Sequence, residues 1–196
     1  MIELTRKEQE ALIIIYKDFT NFYNANSLSK KLEITQVGAM KILKRLEKAG
    51  LLASKQIGKS IIYKIDIYDE LAQKLMGFAF VNEAGKHDRW RNEFKNLCKK
   101  GRIILFYGSA SRNYAQAKDI DIMIILKEGE FKEVNVKLEE IQAVLPKKIH
   151  AIKSTKHDFI RNLRSNNKAI LEIIRTGIIL CGYDNYMEIM NGFTSF

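Results

Sequence analysis

Two aspartates stand at the start of an otherwise apolar stretch, DIDIMIIL, which begins at Asp119. Acidic side chains are rare in strands, because a pleated and half-buried surface favours branched and aromatic residues. Asp119 and Asp121 are two positions apart, so in a strand both point to the same face, about 6.6 Å apart along the chain. Two carboxylates held side by side repel each other, and a divalent cation relieves that repulsion. The pair therefore predicts a site for Mg²⁺ or Mn²⁺, which bind oxygen ligands.

A glycine and a serine precede this strand, at the end of another apolar run. Residues 102–107 predict a short strand, and Gly108 and Ser109 follow it at the start of a short helix. Glycine lets the backbone approach a ligand closely, and the first N–H groups of a helix point away from it unpaired. Ser109 adds a hydroxyl donor and Arg112 adds a positive charge. We therefore expect this turn to hold a phosphate group.

In this order, the two motifs resemble the nucleotidyltransferase signature of the DNA polymerase beta superfamily. An apolar residue, Gly-Ser, nine intervening residues and Asp-Ile-Asp-Ile follow one another. The resemblance covers about residues 86–190 and is nearest to the minimal nucleotidyltransferases. It implies a small mixed sheet flanked by helices, with phosphates held at Gly108 and Ser109 and metals bound by Asp119 and Asp121. The implied reaction moves a nucleotide monophosphate from an NTP, expected to be ATP, to an unidentified acceptor.

The chain departs from that family at the third carboxylate, which the family places on a neighbouring strand after a helix. Residues 131–145 predict the helix and residues 149–152 predict the strand, and His150 stands in the carboxylate's position. A neutral imidazole can accept a proton near neutral pH, but it does not supply the missing negative charge. The resemblance thus implies three catalytic residues, Asp119, Asp121 and His150. It also implies slow transfer that is faster with Mn²⁺ than with Mg²⁺.

The first 68 residues predict three helices and a hairpin. Thr5 to Glu8 has the form of a capping box that starts the first helix. A short helix is expected at residues 28–32, and Thr35 can cap a third one from Gln36 to Ala49, which Gly50 ends. Two strands follow, at residues 51–56 and 61–67. One face of the second strand is apolar, and Lys64 and Asp66 lie on the other.

Three helices followed by a hairpin resemble the winged helix-turn-helix of MarR-like and ArsR-like transcription regulators. In that family the third helix enters the major groove of DNA, and the hairpin touches the backbone beside it. Gln36 lies near the start of the third helix, where base edges are read. The basic residues of the helix and hairpin suit phosphate contacts: Lys41, Lys44, Arg45, Lys48 and Lys59. A module that docks a protein or forms a dimer remains an alternative.

Composition agrees with a polyanionic partner. Lys and Arg outnumber Asp and Glu by 33 to 23, which gives a formal charge of +10 that attracts nucleic acid, nucleotides or an anionic membrane surface. No apolar run approaches the roughly 20 residues of a membrane span, and nothing resembles a signal peptide, so we expect a cytoplasmic protein. Cys98 and Cys181 are too few for a disulfide framework and lack metal-ligand spacing.

The sequence thus predicts a winged helix at residues 1–68, a helical connector at 69–85 and a nucleotidyltransferase-like domain at 86–196. Two apolar stripes of the helices after residue 68 are expected to pack between the domains or to form the seam of a homodimer: Leu71, Leu75 and Phe78, and Trp90, Phe94 and Leu97. Three functions stay open. They are nucleotide transfer, DNA-binding regulation with a degenerate nucleotide-sensing domain, and an antitoxin-like partnership with a HEPN-type toxin. The expected partners are a DNA duplex, a nucleotide and a protein acceptor or toxin, with no membrane.

Overall fold

Residues 3–194 are described by the computed structural model, in which the chain divides into two units. The winged-helix unit contains the chain up to Ala79 together with the residues from Met190 onward. The sheet unit is Phe80–Ile189. The division falls inside a helix, whereas the sequence predicted a separate connector at 69–85. None of the helices in this range is long and apolar enough to cross a membrane.

The winged-helix unit contains three helices and an antiparallel hairpin, as the sequence predicted. They are α1 (Arg6–Lys17), α2 (Ala25–Leu32), α3 (Gln36–Lys48), β1 (Leu52–Ile57) and β2 (Ser60–Ile65). Local sequence starts each helix. The capping box of Thr5 and Glu8 is confirmed, Thr35 accepts a hydrogen bond from the backbone of Gly38, and a second capping box at Asn24 starts α2 earlier than predicted.

The C-terminal end of the chain completes this unit. Tyr16 of α1 donates a hydrogen bond from its hydroxyl to Oδ1 of Asn191, at 2.8 Å. The rings of Phe19 and Phe193 lie 5.9 Å apart between centroids. The sequence predicted no contact between the first helix and the end of the chain, because the two segments are distant in sequence.

The side chain of Lys64, which the sequence placed on the face of β2 opposite the apolar residues, is buried. Lys64 is only 8% exposed and donates a hydrogen bond to the carbonyl of Phe19, whereas Ile61 is 45% exposed. A bridge from Tyr23 to Tyr63 places the segment between α1 and α2 beside the middle of β2, and the ring of Phe22 in this segment lies 5.1 Å from Nζ of Lys64. Tyr63 and Lys64 are therefore both buried, whereas Ser60 and Ile61 at the start of β2 are exposed.

The sheet unit contains four strands and the helices around them. Its strands are β3 (Ile103–Tyr107), β4 (Asp119–Leu126), β5 (Lys148–Thr155) and β6 (Ile178–Cys181). Its helices are α4 (Glu70–Gly85, shared with the winged-helix unit), α5 (Asp88–Glu93), α6 (Gly108–Arg112), α7 (Phe131–Val144), α8 (Lys156–Arg164), α9 (Lys168–Thr176) and α10 (Tyr183–Thr194, also shared). A 3-10 turn at Lys95–Leu97 follows α5.

The sheet is mixed, with the order β5-β4-β3-β6. Strand β3 is antiparallel to both of its neighbours, and β4 runs parallel to β5, with α7 as the connection. Because β3 and β4 are the central strands, they carry the buried core. The stripe of Trp90, Phe94 and Leu97 packs into that core, whereas the sequence predicted packing between the domains or in a dimer seam. This arrangement confirms a mixed α+β fold with a small sheet flanked by helices.

The stripe on α4 behaves differently. Its buried side consists of Ala72, Met76, Ala79 and Phe80. The predicted stripe lies on the other side, where Leu71 is 43% and Phe78 is 55% exposed. Helical spacing identified an apolar stripe, but it did not show which apolar side of the helix the fold covers.

The two cysteines of the sheet unit form a disulfide. Cys98 follows the 3-10 turn and Cys181 ends β6, with 6.2 Å between their Cα atoms. The sequence predicted only that two cysteines were too few for a framework. Near them, the side chain of Arg102 is fully buried, lies 3.1 Å from a carboxylate oxygen of Glu130 and donates to the carbonyl of Leu97. The disulfide therefore joins the 3-10 turn to the end of β6, and the ion pair of Arg102 fixes the residue that precedes β3.

Candidate functional site

Both predicted aspartates lie at the beginning of β4, in the first and third positions of the strand. They share one face, as the alternation of strand side chains requires, and both are partly exposed. Gly108 follows β3 directly and adopts a φ of +76°. A Cβ atom on Gly108 would collide with the carboxylate of Asp121. The backbone at residue 108 therefore lies directly against that carboxylate, and only glycine fits there.

Strand β5 brings His150 to the same place. The parallel register pairs Asp121 with His150 and Asp119 with Lys148. Nδ1 of His150 lies 3.1 Å from Oδ2 of Asp119 and 3.8 Å from Oδ1 of Asp121. Donor atoms of all three side chains lie within 4.8 Å of one another. Two carboxylates and an imidazole in this arrangement have the donor chemistry to hold a divalent cation.

The environment of the site disfavours the ionised form of the Asp121 carboxyl group. Burial raises the pKa of Asp121, and the neighbouring Asp119 raises it further, while His150 acts in the opposite direction. Burial also raises the pKa of Tyr107 to about 12, and Asp121 and Asp119 add to that effect. A cation between the carboxylates would offset both the burial and the repulsion.

The predicted phosphate residues lie beside this cluster, on α6. Ser109 and Arg112 are exposed, and Ser111 donates a hydrogen bond from its hydroxyl to the carbonyl of Gly108. Helix α6 ends at Arg112, earlier than the predicted end near Ala117. The structure thus brings Gly108 against Asp121, while the side chains of Ser109 and Arg112 remain accessible to solvent.

Sequence reasoning missed the residues that support the loop between α6 and β4. The ring of Tyr114 lies between two cations, with the guanidinium of Arg89 at 4.4 Å and Nζ of Lys147 at 4.3 Å from its centroid. Lys147 also donates hydrogen bonds to the carbonyls of Tyr114, Ala115 and Ala117. A lysine directly after the chain's single proline, at the entry to β5, was the available signal. These contacts fix the loop that leads into Asp119.

A second candidate surface lies on the winged-helix unit. Along α3, the side chains of Lys41, Lys44 and Lys48 are exposed, and Gln36 is exposed at its first position. Lys59 lies in the hairpin turn, and it lines one groove together with Gln36, Met40 and Tyr63. Gln36, predicted to read base edges, and Lys59, predicted to contact phosphates, thus line the same groove.

Arg45 is engaged elsewhere. Its Nη1 lies 2.6 and 2.7 Å from the two carboxylate oxygens of Glu8, and its Nη2 donates to the carbonyl of Glu3. Glu8 is buried and simultaneously caps α1. The role of Arg45 in phosphate binding stays a prediction, but its charge is already paired inside the unit. The periodicity of basic residues along α3 did not separate this arginine from the exposed lysines.

No protein-family model matches the chain, and no curated protein matches it. Among solved structures, the chain is similar to the adhesin competence repressor (AdcR) of Streptococcus pyogenes, with 19% identity over 72% of this chain and 82% of that chain and a TM-score of 0.37. It is also similar to a mutant of Lactococcus lactis ZitR, with 16% identity over 72% of this chain and 77% of that chain and a TM-score of 0.35. Similarity at this level establishes neither a family nor a function for the chain.

Proposed function

We propose that the chain is a DNA-binding regulator whose sheet unit binds a nucleotide together with a divalent cation. The observation that carries the DNA-binding part is the exposed face of α3, where Lys41, Lys44 and Lys48 lie free of the core and Gln36 and Lys59 share one groove. A helix of this kind inserts into the major groove while the hairpin contacts the adjacent backbone. The net charge of +10 adds a general attraction to DNA.

Duplex binding by the full-length chain tests this part directly. Fluorescence anisotropy with a labelled duplex, repeated over a series of salt concentrations, measures both affinity and the number of phosphate contacts. A parallel series with ATP and Mn²⁺ measures whether the nucleotide changes DNA affinity. Salt-independent binding, or no binding, would assign the winged helix to protein contacts instead.

The cluster of Asp119, Asp121 and His150 supports a second candidate function, nucleotide transfer. Asp119 and Asp121 would hold the cation, Mg²⁺ or Mn²⁺, which when bound draws negative charge from the phosphates. Gly108 lets the backbone lie directly against the carboxylate of Asp121, and the exposed Ser109 hydroxyl that follows it can donate to a phosphate.

In such a transfer, the acceptor hydroxyl would bond to the α-phosphorus of ATP as the bond to the bridging oxygen breaks and pyrophosphate leaves. When it does not ligate the cation, His150 is the group that can take the hydroxyl proton, because an imidazole accepts protons near neutral pH. Since His150 stands where the family that the sequence resembles has a carboxylate, we expect slow transfer that is faster with Mn²⁺ than with Mg²⁺.

Incubation with ATP labelled at the α-phosphate, Mn²⁺ and cell lysate tests transfer. A labelled macromolecule that is absent with the Asp119→Asn/Asp121→Asn variant supports it. Binding of ATP without transfer to any acceptor, by both the parent and His150→Asp, leaves nucleotide sensing as the function. Among the described residues, no feature specifically favours the antitoxin alternative.

A homodimer would fit the regulatory function, since two copies present two α3 helices to one duplex. The exposed apolar side of α4, with Leu71 and Phe78, supports this part of the proposal. Light scattering of the full-length chain should give twice the mass of one chain, and Phe78→Glu should return it to a monomer. A monomeric parent protein contradicts it.

A further inference from the structure

We infer that Asp119, Asp121 and His150 form a site for a single transition-metal ion, such as Mn²⁺, Co²⁺ or Zn²⁺, that fills without a nucleotide. The inference rests on the proposed cation site and specifies its selectivity. In this site, His150 is a metal ligand in its own right, and it makes the site discriminate against Mg²⁺.

The spacing of the donor atoms matches one coordination shell. With metal–donor bonds of about 2.1 Å, neighbouring ligands lie about 3.0 Å apart in an octahedron and about 3.4 Å apart in a tetrahedron. Nδ1 of His150 lies 3.1 Å from Oδ2 of Asp119 and 3.8 Å from Oδ1 of Asp121. Both distances are within a few tenths of an ångström of these edges, and donor atoms of all three side chains lie within 4.8 Å of one another.

The ligands are held in place before any metal binds. Asp121 and His150 are directly paired in the register of β4 and β5, and both strands belong to one sheet. Nδ1 is the ring nitrogen that faces the carboxylates, so the imidazole does not need to turn over. A site built on paired strands loses little freedom on binding, and it therefore does not depend on nucleotide phosphates to assemble it.

Ligand chemistry sets the selectivity. Mg²⁺ prefers oxygen ligands in strict octahedral geometry and keeps much of its water. An imidazole nitrogen instead suits Zn²⁺, Fe²⁺ and Ni²⁺, and affinities rise along the first transition row up to copper. The two carboxylates neutralise the charge of a divalent ion. His150 is 48% exposed on its side chain, so the remaining coordination positions stay open to water or a phosphate.

A simple alternative is that His150 serves only as a hydrogen-bond partner of Asp119. In that case its removal would affect the local structure but not metal selectivity. His157 provides a matched control, because it is an exposed histidine of the same unit that lies outside the cluster.

The test uses the full-length, metal-free chain without nucleotide. Co²⁺ is titrated by visible absorption, and Mn²⁺, Zn²⁺ and Mg²⁺ are titrated by calorimetry. The parent protein should bind about one Co²⁺ or Zn²⁺ per chain. Its affinity for Mg²⁺ should be at least about tenfold lower than its affinity for these ions. His150→Ala should weaken Co²⁺ and Zn²⁺ binding about tenfold or more, and His157→Ala should leave it unchanged. Circular dichroism confirms that each variant is folded.

His150→Asp provides the second arm. Three carboxylates should bind Mg²⁺ more tightly than the parent site does and Zn²⁺ more weakly, so that the selectivity moves in the opposite direction. Equal Co²⁺ affinity in the parent and in folded His150→Ala, or equal Mg²⁺ and Co²⁺ affinity in the parent, overturns the inference.

A separate calorimetric titration with ATP and Mn²⁺ distinguishes this inference from the proposed function. Selective metal binding without ATP binding refutes the nucleotide function and leaves the metal site standing. ATP binding that depends on Asp119 and Asp121, together with equal Co²⁺ affinity in the parent and in folded His150→Ala, refutes the metal-ligand role and leaves the nucleotide function standing.

Discussion

Replacing Arg45 with glutamine separates the stabilising role of this residue from a role in DNA binding. Glu8 is 2% exposed, and its carboxylate accepts hydrogen bonds from the backbone N–H and hydroxyl of Thr5 as well as from Arg45. In Arg45→Gln, the buried carboxylate keeps its cap on α1 but loses the opposite charge. The winged-helix unit should therefore be destabilised even though Arg45 itself lies at the surface.

The magnitude follows from the burial of the two partners. Breaking a fully buried ion pair by removing one partner costs about 3–5 kcal/mol. The side chain of Arg45 is 53% exposed, and Thr5 still donates twice to Glu8, so the loss should be smaller. We expect about 2 kcal/mol, which for a unit of this size lowers its Tm by roughly 8–16 °C.

Urea and thermal denaturation of the full-length chain, followed by circular dichroism, measure this loss. Lys44→Gln is the matched control, because Lys44 is exposed on the same helix and should change stability by less than about 0.5 kcal/mol. Conversely, Lys44→Gln should weaken DNA binding without affecting the fold. A double-mutant cycle with Glu8→Gln should show a favourable coupling of about 1 kcal/mol or more. Equal stability of Arg45→Gln and Lys44→Gln would refute the reasoning.

Four further predictions test other parts of the molecule. Replacing any one lysine of α3 with glutamine should reduce the slope of log K against log salt for duplex DNA binding by about 0.9. Salt titrations of Lys41→Gln, Lys44→Gln and Lys48→Gln measure this change. Gly108→Ala should abolish cation binding in calorimetry because its Cβ meets Asp121, whereas Gly129→Ala, also at positive φ but in open space, should leave it unchanged. Burial and Asp119 raise the pKa of Asp121, so its charged form destabilises the metal-free fold. Asp121→Asn should therefore raise the Tm more at a pH above that pKa than at a pH below the ordinary carboxyl pKa, and a pH-independent difference contradicts this. Reduction of the Cys98–Cys181 disulfide, which spans 83 residues, should destabilise the sheet unit by up to about 4.5 kcal/mol. Denaturation with and without reductant measures this loss, and the stability of the control variant Cys98→Ser should not respond to reductant.

Local sequence determined most of the elements of this chain. Capping residues such as Thr5 and Thr35 specified where helices begin, alternation of apolar residues specified the hairpin, and continuous apolar runs specified the central strands. The spacing of Asp119 and Asp121 placed both carboxylates on one face, because strand geometry has a period of two. Each of these predictions depends on residues within a few positions of one another, and the backbone geometry alone connects them.

Tertiary structure alone decided what the side chains contact. Arg45 meets Glu8 across 37 positions, Lys64 meets the carbonyl of Phe19 across 45, and Cys98 meets Cys181 across 83. The distance between His150 and the aspartates likewise depends on the register of β5 against β4. The charges of Lys44 and Arg45 are nearly equivalent in a helical pattern, but only one of them lies opposite a buried carboxylate. Periodicity shows which residues share a face; only the packing of distant segments determines what that face meets.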